Sequence, residues 1–382
     1  MSELNVLSIG MSASPTDGGL ERYFFGLLAA LPQAGTASRG LVVGREDGSC
    51  DGAPLVRAFA RRDQPMLRRW WSMREVAPEL VSASDVVAAH FAPNVFPILS
   101  ALRERPFVVH FHGPWALEGE AEGGSGWKTI VRAAIERRVY AAAYRFIVLS
   151  EAFGDVLCGR YGVPREKIRI VRGGVDLERF RIRSSRAEAR TRLGWESGRH
   201  IVTTTRRLVP SKGIENLIEA IARVRHIAPN VLLNIIGSGP LRGELEQRIA
   251  SRGLGEHVRL LGRVSDDDLP LAYRASDLVV VPSVAFEGFG LVVVEALACG
   301  TPVLATNVGG LPEVLGGLDP RLILPGSDVD AVERGLEAAL RRPLDLPTEA
   351  ACVAHARTFD WTAVARDVHA VYREAAALGR DR

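Results

Sequence analysis

At 382 residues the chain is longer than one hydrophobic core usually holds, and its 47% apolar content is enough to fill two. Its 48 Lys and Arg nearly balance its 45 Asp and Glu, and a formal charge of +3 is too small a surplus to mark a nucleic-acid footprint. Cys50, Cys158, Cys299 and Cys352 stand far apart with no C-x-x-C pair, which argues against a zinc ribbon or a disulfide framework and fits a reducing compartment.

The opening MSELNVLSIGMSASP has no basic region ahead of its short apolar run and reads as a first strand, not a secretory signal. Short β-branched runs then recur with helical patterns between them: LNVLSIG (4–10), LVVG (41–44), DVVAAHF (85–91), PFVVHFHG (106–113), RFIVLS (145–150) and IRIVRGG (168–174). Strands alternating with helices predict a doubly wound parallel sheet. Within this half, residues 57–80 set Arg61, Arg62, Arg68, Arg69 and Arg74 beside Met66, Leu67, Trp70 and Trp71. That composition suits an anionic membrane surface, and equally a surface helix whose tryptophans pack on the domain. HGPWALEGEAEGGSGWK (112–128) reads as a glycine-rich loop, either an acceptor lid or a flexible connection. RIRSSRAEARTRLGWESGRH (181–200) lacks strand character and reads as the end of the first domain and the linker.

The pattern restarts with HIVTTTR (200–206), NVLLNIIGSG (230–239), VRLLGRV (258–264), DLVVVPS (277–283), TPVLATN (301–307) and RLILPG (321–326), a second parallel α/β domain. The expected division is 1–190, 191–358 and a C-terminal helix, 359–382. Trp361, Val364, Val368, Val371 and Tyr372 recur in that tail at helical spacing. No stretch approaches the roughly 18 to 20 apolar residues that cross a bilayer.

Ligands of open parallel sheets sit where loops leave the carboxyl ends of strands, and the best-marked residues fall there. RRLVPSKG puts Arg206, Arg207 and Lys212 on one such loop, cations suited to a diphosphate or to solvated surface. Gly237 and Gly239 in GSGP admit a close backbone approach, or simply make a turn. FEGFGLVVVEALACG places Glu287 in a turn freed by Gly288 and Gly290, ahead of a helix beginning near Phe289 or Gly290. Unpaired N–H groups at that helix start favour an anion. Glu295 follows in the helix among apolar neighbours, so its carboxylate is buried and requires partners, unless it is an ordinary solvated helix residue. Two carboxylates flanking a phosphate site suit the rings on either side of a nucleotide sugar's diphosphate.

RLVPSKG, IIGSGP and SVAFEGFGLVVVEALACGTPVLATNVGGLPE together resemble the donor-binding domain of glycosyltransferase family 4. GGLERYFFGLLAAL (18–31), DVVAAHF, VVHFHG, VLSEAF and VRGGVDLERF extend the resemblance over nearly the whole chain. It implies GT-B architecture: two Rossmann-like α/β domains facing a cleft, the last helix returning to the first. It implies a retaining transfer from a nucleoside-diphosphate hexose, UDP- or GDP-linked, to a carbohydrate, lipid-linked or small-molecule acceptor. In this family the acceptor attacks on the face the leaving group departs from, and the departing phosphate serves as base, so no metal or other cofactor is implied. Glu287 would contact the donor sugar, Glu295 the ribose, and Arg207 and Lys212 the diphosphate beside the amides of Phe289, Gly290 and Leu291. Gly18 and Gly19 would approach the phosphates from the first domain, and His112 would touch the transferred sugar. The family usually has glycine where this chain has Arg206, so the phosphate role is shared or shifted between Arg206 and Arg207.

His110 and His112 lie on one strand face without a convincing third metal ligand. His90 ends another strand, on the acceptor side or as an ordinary core or rim histidine. Asp266, Asp267 and Asp268 read as a helix cap with first-turn acids, and Asp328 and Asp330 as a loop before another helix, not as metal ligands. A nicotinamide dehydrogenase would want G-x-G-x-x-G after a first strand, which neither domain offers. A catalytically silent nucleotide-sugar binding protein of the same fold is the other alternative. The expected setting is the cytoplasm, with possible peripheral contact at the inner face of the plasma membrane through residues 57–80, and no nucleic-acid partner.

Overall fold

The computed structural model describes residues 3–52, 54–121 and 126–380. Contacts divide the chain into two units, one of Met1–Gly174 with Trp361–Arg382 and one of Val175–Asp360.

The first unit is built on seven strands: β1 (Leu4–Ser12), β2 (Thr36–Gly44), β3 (Val56–Arg61), β4 (Val86–Ala89), β5 (Phe107–Phe111), β6 (Arg145–Val148) and β7 (Ile168–Ile170), in the order β3-β2-β1-β4-β5-β6-β7. Every neighbouring pair runs parallel. β4 and β5 are buried at every position, which is why both read as apolar runs, interrupted only by His110. The strand order reverses between β1 and β4, the place where a doubly wound sheet opens a crevice beyond its strand ends. His90 follows β4 immediately, and its backbone N–H donates to the Ile9 carbonyl of β1 at 2.8 Å.

The final helix, Trp361–Arg380, belongs to this unit and buries Val364, Val368, Val371 and Tyr372, four of the five apolar positions its spacing predicts. The fifth, Trp361, sits edge-on to Tyr23 at 5.4 Å and covers Gly26 and Gly174, where any Cβ would come within 2.6 and 2.4 Å of the indole. Polar ties fix the helix to the sheet. His369 Nδ1 pairs with Thr36 Oγ1 at 2.7 Å, Tyr372 OH with His110 Nε2 at 2.8 Å, and Arg145 and Arg169 donate to Glu374 at 2.9 and 3.0 Å.

The second unit has six parallel strands: β8 (His200–Thr205), β9 (Val231–Ile236), β10 (Val258–Gly262), β11 (Leu278–Val281), β12 (Val303–Thr306) and β13 (Ile323–Leu324), ordered β10-β9-β8-β11-β12-β13. Helix Ile214–Val224 buries Ile214, Leu217, Ile218, Ile221 and Val224, the i, i+3, i+4 stripe of a surface helix. Here the order reverses between β8 and β11, so the loops after those strands are neighbours by topology.

Three segments depart from the sequence reading. Residues 57–80 are not one basic element: they begin in the edge strand β3 and continue into helix Met66–Ser82. The glycine-rich stretch after His112 is largely helical, Trp115–Ala121 and then Gly126–Ala141, and its residues 122–125 lie outside the described residues. Glu136 caps the first of these helices, accepting from the N–H groups of Trp115 and Ala116 at 2.8 and 3.3 Å. The expected linker contains helix Arg186–Leu193, started by a Ser185–Glu188 capping box. It joins the second unit because buried Arg190 donates to the Ala275 carbonyl at 2.9 Å and to Asp277 at 2.6 Å. The boundary therefore falls at Gly174/Val175, ahead of the expected 190/191.

Candidate functional site

In the second unit, the loops after β8 and β11 meet backbone to backbone. Gly213 has φ 64°, and a Cβ there would lie 2.0 Å from the Pro282 carbonyl oxygen. The contact brings three polar side chains onto one carboxylate oxygen of Glu287. Arg206 Nη2 donates to both Glu287 Oε2 and Ser283 Oγ, Ser283 Oγ donates to Oε2 at 3.0 Å, and Lys212 Nζ stands 3.2 Å from it. Burial alone would raise the Glu287 pKa, but the charges of Arg206 and Lys212, with hydrogen bonds from Arg206 and Ser283, override it and hold it near about 2. No protein partner reaches Oε1 among the described residues.

The backbone here is also constrained. Phe286 is the one non-glycine with positive φ (50°) among the described residues, a conformation that costs of order 1 kcal/mol. Lys212 Nζ stands 3.3 Å from its carbonyl, and Gly310 N–H donates to the Glu287 carbonyl at 2.9 Å. Gly309 must be glycine, because a Cβ would lie 1.9 Å from that same carbonyl oxygen. Next, Gly290 at φ 87° starts helix Leu291–Ala298, which has no side-chain cap, so its first N–H groups are not used by one.

In the first unit, three histidines gather: His90 just after β4, His110 near the end of β5 and His112 just after β5. Their rings are stacked, with centroids 4.1 Å apart for His90/His110 and 5.3 Å for His90/His112. Burial, and then repulsion from neighbouring imidazoles, lowers the pKa values of His90 and His110 far below the usual histidine range, and burial pulls His112 to about 3. All three are neutral at physiological pH. Ligand atoms of the trio lie within 4.8 Å of one another, so His90 is the third imidazole that the sequence did not reveal. Even so, the set does not suit a metal. His110 gives Nε2 to Tyr372 and has Nδ1 3.5 Å from Tyr23 OH, which leaves two imidazoles where a zinc site uses three or four ligands.

Two family models match the chain: residues 185–359 match Glycosyl transferases group 1, and residues 17–179 match Glycosyltransferase Family 4. A D-inositol 3-phosphate glycosyltransferase from Catenulispora acidiphila is 34% identical over 311 residues, covering 78% of this chain and 74% of the relative. The chain belongs to glycosyltransferase family 4. This glycosyltransferase spans only 54% of another relative, a D-inositol 3-phosphate glycosyltransferase from Rhodococcus jostii, which is 35% identical over 248 residues and aligns with 63% of this chain. Its fold is shared with sucrose-phosphate synthase from Thermosynechococcus elongatus, at TM-score 0.81 and 23% identity over 98% of this chain and 100% of that one. Anabaena HepE in complex with UDP and glucose gives 0.77 and 24% over 96% and 98%. The architecture is GT-B.

The structure also places the other site residues of the glycosyltransferase. The Arg206 side chain is turned inward onto Glu287 and Ser283, whereas Arg207 is exposed. Glu295 is buried with a partner, as its apolar neighbours predict: it stands apart from the Glu287 cluster and accepts from the hydroxyl of buried Tyr273 at 3.1 Å. Gly237 and Gly239 have a packing reason, since a Cβ at either would strike the backbone of Arg206 or Leu208 at 1.8 or 2.4 Å. Phe289 is buried edge-on against Phe359 at 5.5 Å, and the helix begins at Leu291, slightly later than predicted. Gly18 and Gly19 open helix Gly19–Ala30, with buried Glu21 held by Ser12 Oγ at 2.7 Å in its first turn. Among the aspartates, Ser265 Oγ accepts from Asp268 N–H at 3.0 Å, Asp266 pairs with Arg179 at 2.8 Å, and Asp328 accepts from Ala331 N–H at 2.8 Å. The residue that the sequence reading passed over is Ser283, which a serine at a strand's carboxyl end, four before the glutamate, signals only weakly.

Proposed function

We propose that this protein is a retaining, metal-independent hexosyltransferase that uses a UDP- or GDP-linked sugar. The observation that carries the reading is the buried Glu287 carboxylate, ionised by Arg206 and Lys212 at the switch point of the second sheet, just before an uncapped helix start. Arg207, Lys212 and the Gly290 and Leu291 amides stabilise negative charge growing on the β-phosphate as the glycosidic bond breaks, an effect larger in the transition state than in the ground state. Glu287 Oε1 accepts from a hydroxyl of the donor sugar. Glu295 takes the ribose. His112 meets the transferred sugar, and the departing phosphate takes the acceptor's proton on the same face. Structures of Anabaena HepE in complex with UDP and with UDP-glucose support a nucleotide-sugar donor.

A panel of nucleotide sugars, scored by thermal stabilisation and by slow donor hydrolysis in a chelator, tests this. A donor at a hundredfold excess over its Kd adds about 2.7 kcal/mol to stability. One hexose donor is expected to stabilise more than its free nucleotide and to be hydrolysed without metal. A strict Mn²⁺ or Mg²⁺ requirement overturns the mechanism, and stabilisation without hydrolysis or transfer favours a silent binding protein.

Membrane contact through residues 57–80 is a separate proposal, supported by side chains of helix Met66–Ser82: Leu67 and Trp71 are 68% and 66% exposed, beside Arg68. Trp70 by contrast packs on Phe96 at 5.3 Å. No helix among the described residues is long and apolar enough to cross a membrane. Sedimentation with anionic vesicles is expected to drop at least about fivefold in Leu67→Asp/Trp71→Asp, in line with the loss of buried apolar area; unchanged sedimentation rejects the contact.

A further inference from the structure

His90 and His112 share one hydrogen. His90 Nδ1 and His112 Nε2 are 3.1 Å apart, and both rings are neutral, so one of the two nitrogens carries the proton and the other accepts it. The choice is settled on the far side of His90, where Nε2 is buried and has no partner. Were His112 the donor, the neutral His90 ring would carry its own hydrogen on Nε2, leaving a buried N–H unsatisfied. Orphaned buried N–H groups are rarer in folded proteins than under-used acceptors. With the hydrogen on His90 Nδ1, only a bare lone pair is left at Nε2.

We infer that His90 is a positioning residue: its Nδ1–H donates to His112 Nε2 and fixes His112 as the tautomer protonated on Nδ1. The inference rests on the reading of His112 as a sugar-facing residue. Nδ1 of His112 has no protein partner among the described residues, and His112 is the least buried of the trio. His112 then presents an N–H to its ligand. It donates a hydrogen bond to a sugar oxygen and has no lone pair on that nitrogen with which to act as a base. His110 is set apart, because its Nε2 and Nδ1 face Tyr372 and Tyr23.

The ¹⁵N spectrum of the histidines in the unliganded, full-length protein tests the assignment directly. His112 is expected to show a protonated Nδ1 and a bare Nε2; the reverse pattern overturns the proposal. Leu and Asn have similar shapes and both give up the imidazole ring, but only Asn keeps a donor near the Nδ1 position. His90→Leu is expected to lower kcat about a hundredfold, the lower range for one misplaced transition-state donor, with donor KM within about twofold and His112 shifted towards the Nε2–H form. His90→Asn should restore most of kcat. Full kcat in a folded His90→Leu overturns the proposal, and if neither variant folds the wild-type spectrum still decides. Should His112→Leu transfer sugar normally, the sugar-facing role fails, whereas the tautomer is read without substrate and stands or falls separately.

Discussion

Glu287→Ala is expected to destabilise the second unit by about 3–5 kcal/mol, because it strands the Arg206 guanidinium in a buried site without its counter-charge. At about 2–4 °C per kcal/mol for a unit of this size, the melting temperature should fall by about 10 °C. Arg206→Ala/Glu287→Ala removes both charges and should recover most of the loss. Neither variant is expected to retain transfer, with turnover down at least about 10²–10³-fold, since the sugar-facing carboxylate is missing from both. Lys212→Ala makes the contrast: turnover falls by a similar factor, but the fold is nearly unaffected, because Lys212 is partly solvated and Arg206 still neutralises Glu287. Thermal melts alongside single-turnover assays distinguish these cases. If Glu287→Ala melts like wild type, the buried pair is not as described, and if it transfers sugar normally, Glu287 is not a donor ligand.

The first unit should lose stability in mild acid before the second does. His90 and His110 are buried and neutral, so above about pH 6.5 neither the folded nor the unfolded chain carries a proton on them. Below that value the unfolded chain takes up protons and the native one does not. Stability therefore falls with pH, by up to about 1.4 kcal/mol per pH unit for each histidine. His112, also held down by burial, adds to the same slope, while Glu136, whose carboxyl burial raises, pulls the other way, one group against three. In the second unit, the depressed pKa of Glu287 contributes stability that is complete above its ordinary value of 4.5 and is lost only as pH falls towards about 2. Amide hydrogen exchange at about pH 7 and pH 5 should show protection falling in β1, β4 and β5 while β8 and β11 hold. His110→Phe is expected to flatten the pH slope of the first unit; equal protection at both pH values would refute the account.

Where a segment is buried on both faces, its sequence announced it: β4 and β11 are unbroken apolar runs, and β5 and β9 are interrupted only by His110 and Asn234. β3 did not, because Arg57 and Arg61 are exposed along an edge strand that buries only Val56, Phe59 and Ala60. Helix Arg186–Leu193 was missed for a related reason, as its buried side consists of Ala189 and the aliphatic stem of Arg190. The cationic loop and the glycine-flanked Glu287 were legible through local spacing. What spacing could not convey is which cation faces inward: Arg206 and Arg207 are neighbours in sequence, and only the pairing of β8 with β11 sends the first of them onto Glu287. His90 was ambiguous alone, since its meaning comes from β5 lying beside β4 and bringing His112 within reach.

The return of Trp361–Arg380 to the first sheet makes that unit discontinuous along the chain. A ribosome therefore finishes all of the second unit before it supplies Trp361 to lie on Tyr23 and Tyr372 to meet His110. During synthesis the nascent first sheet waits with an uncovered apolar strip where Val364, Val368 and Val371 will dock. A message cut short just before the Trp361 codon yields a protein whose donor-side residues are all present but whose histidine cluster was never closed over.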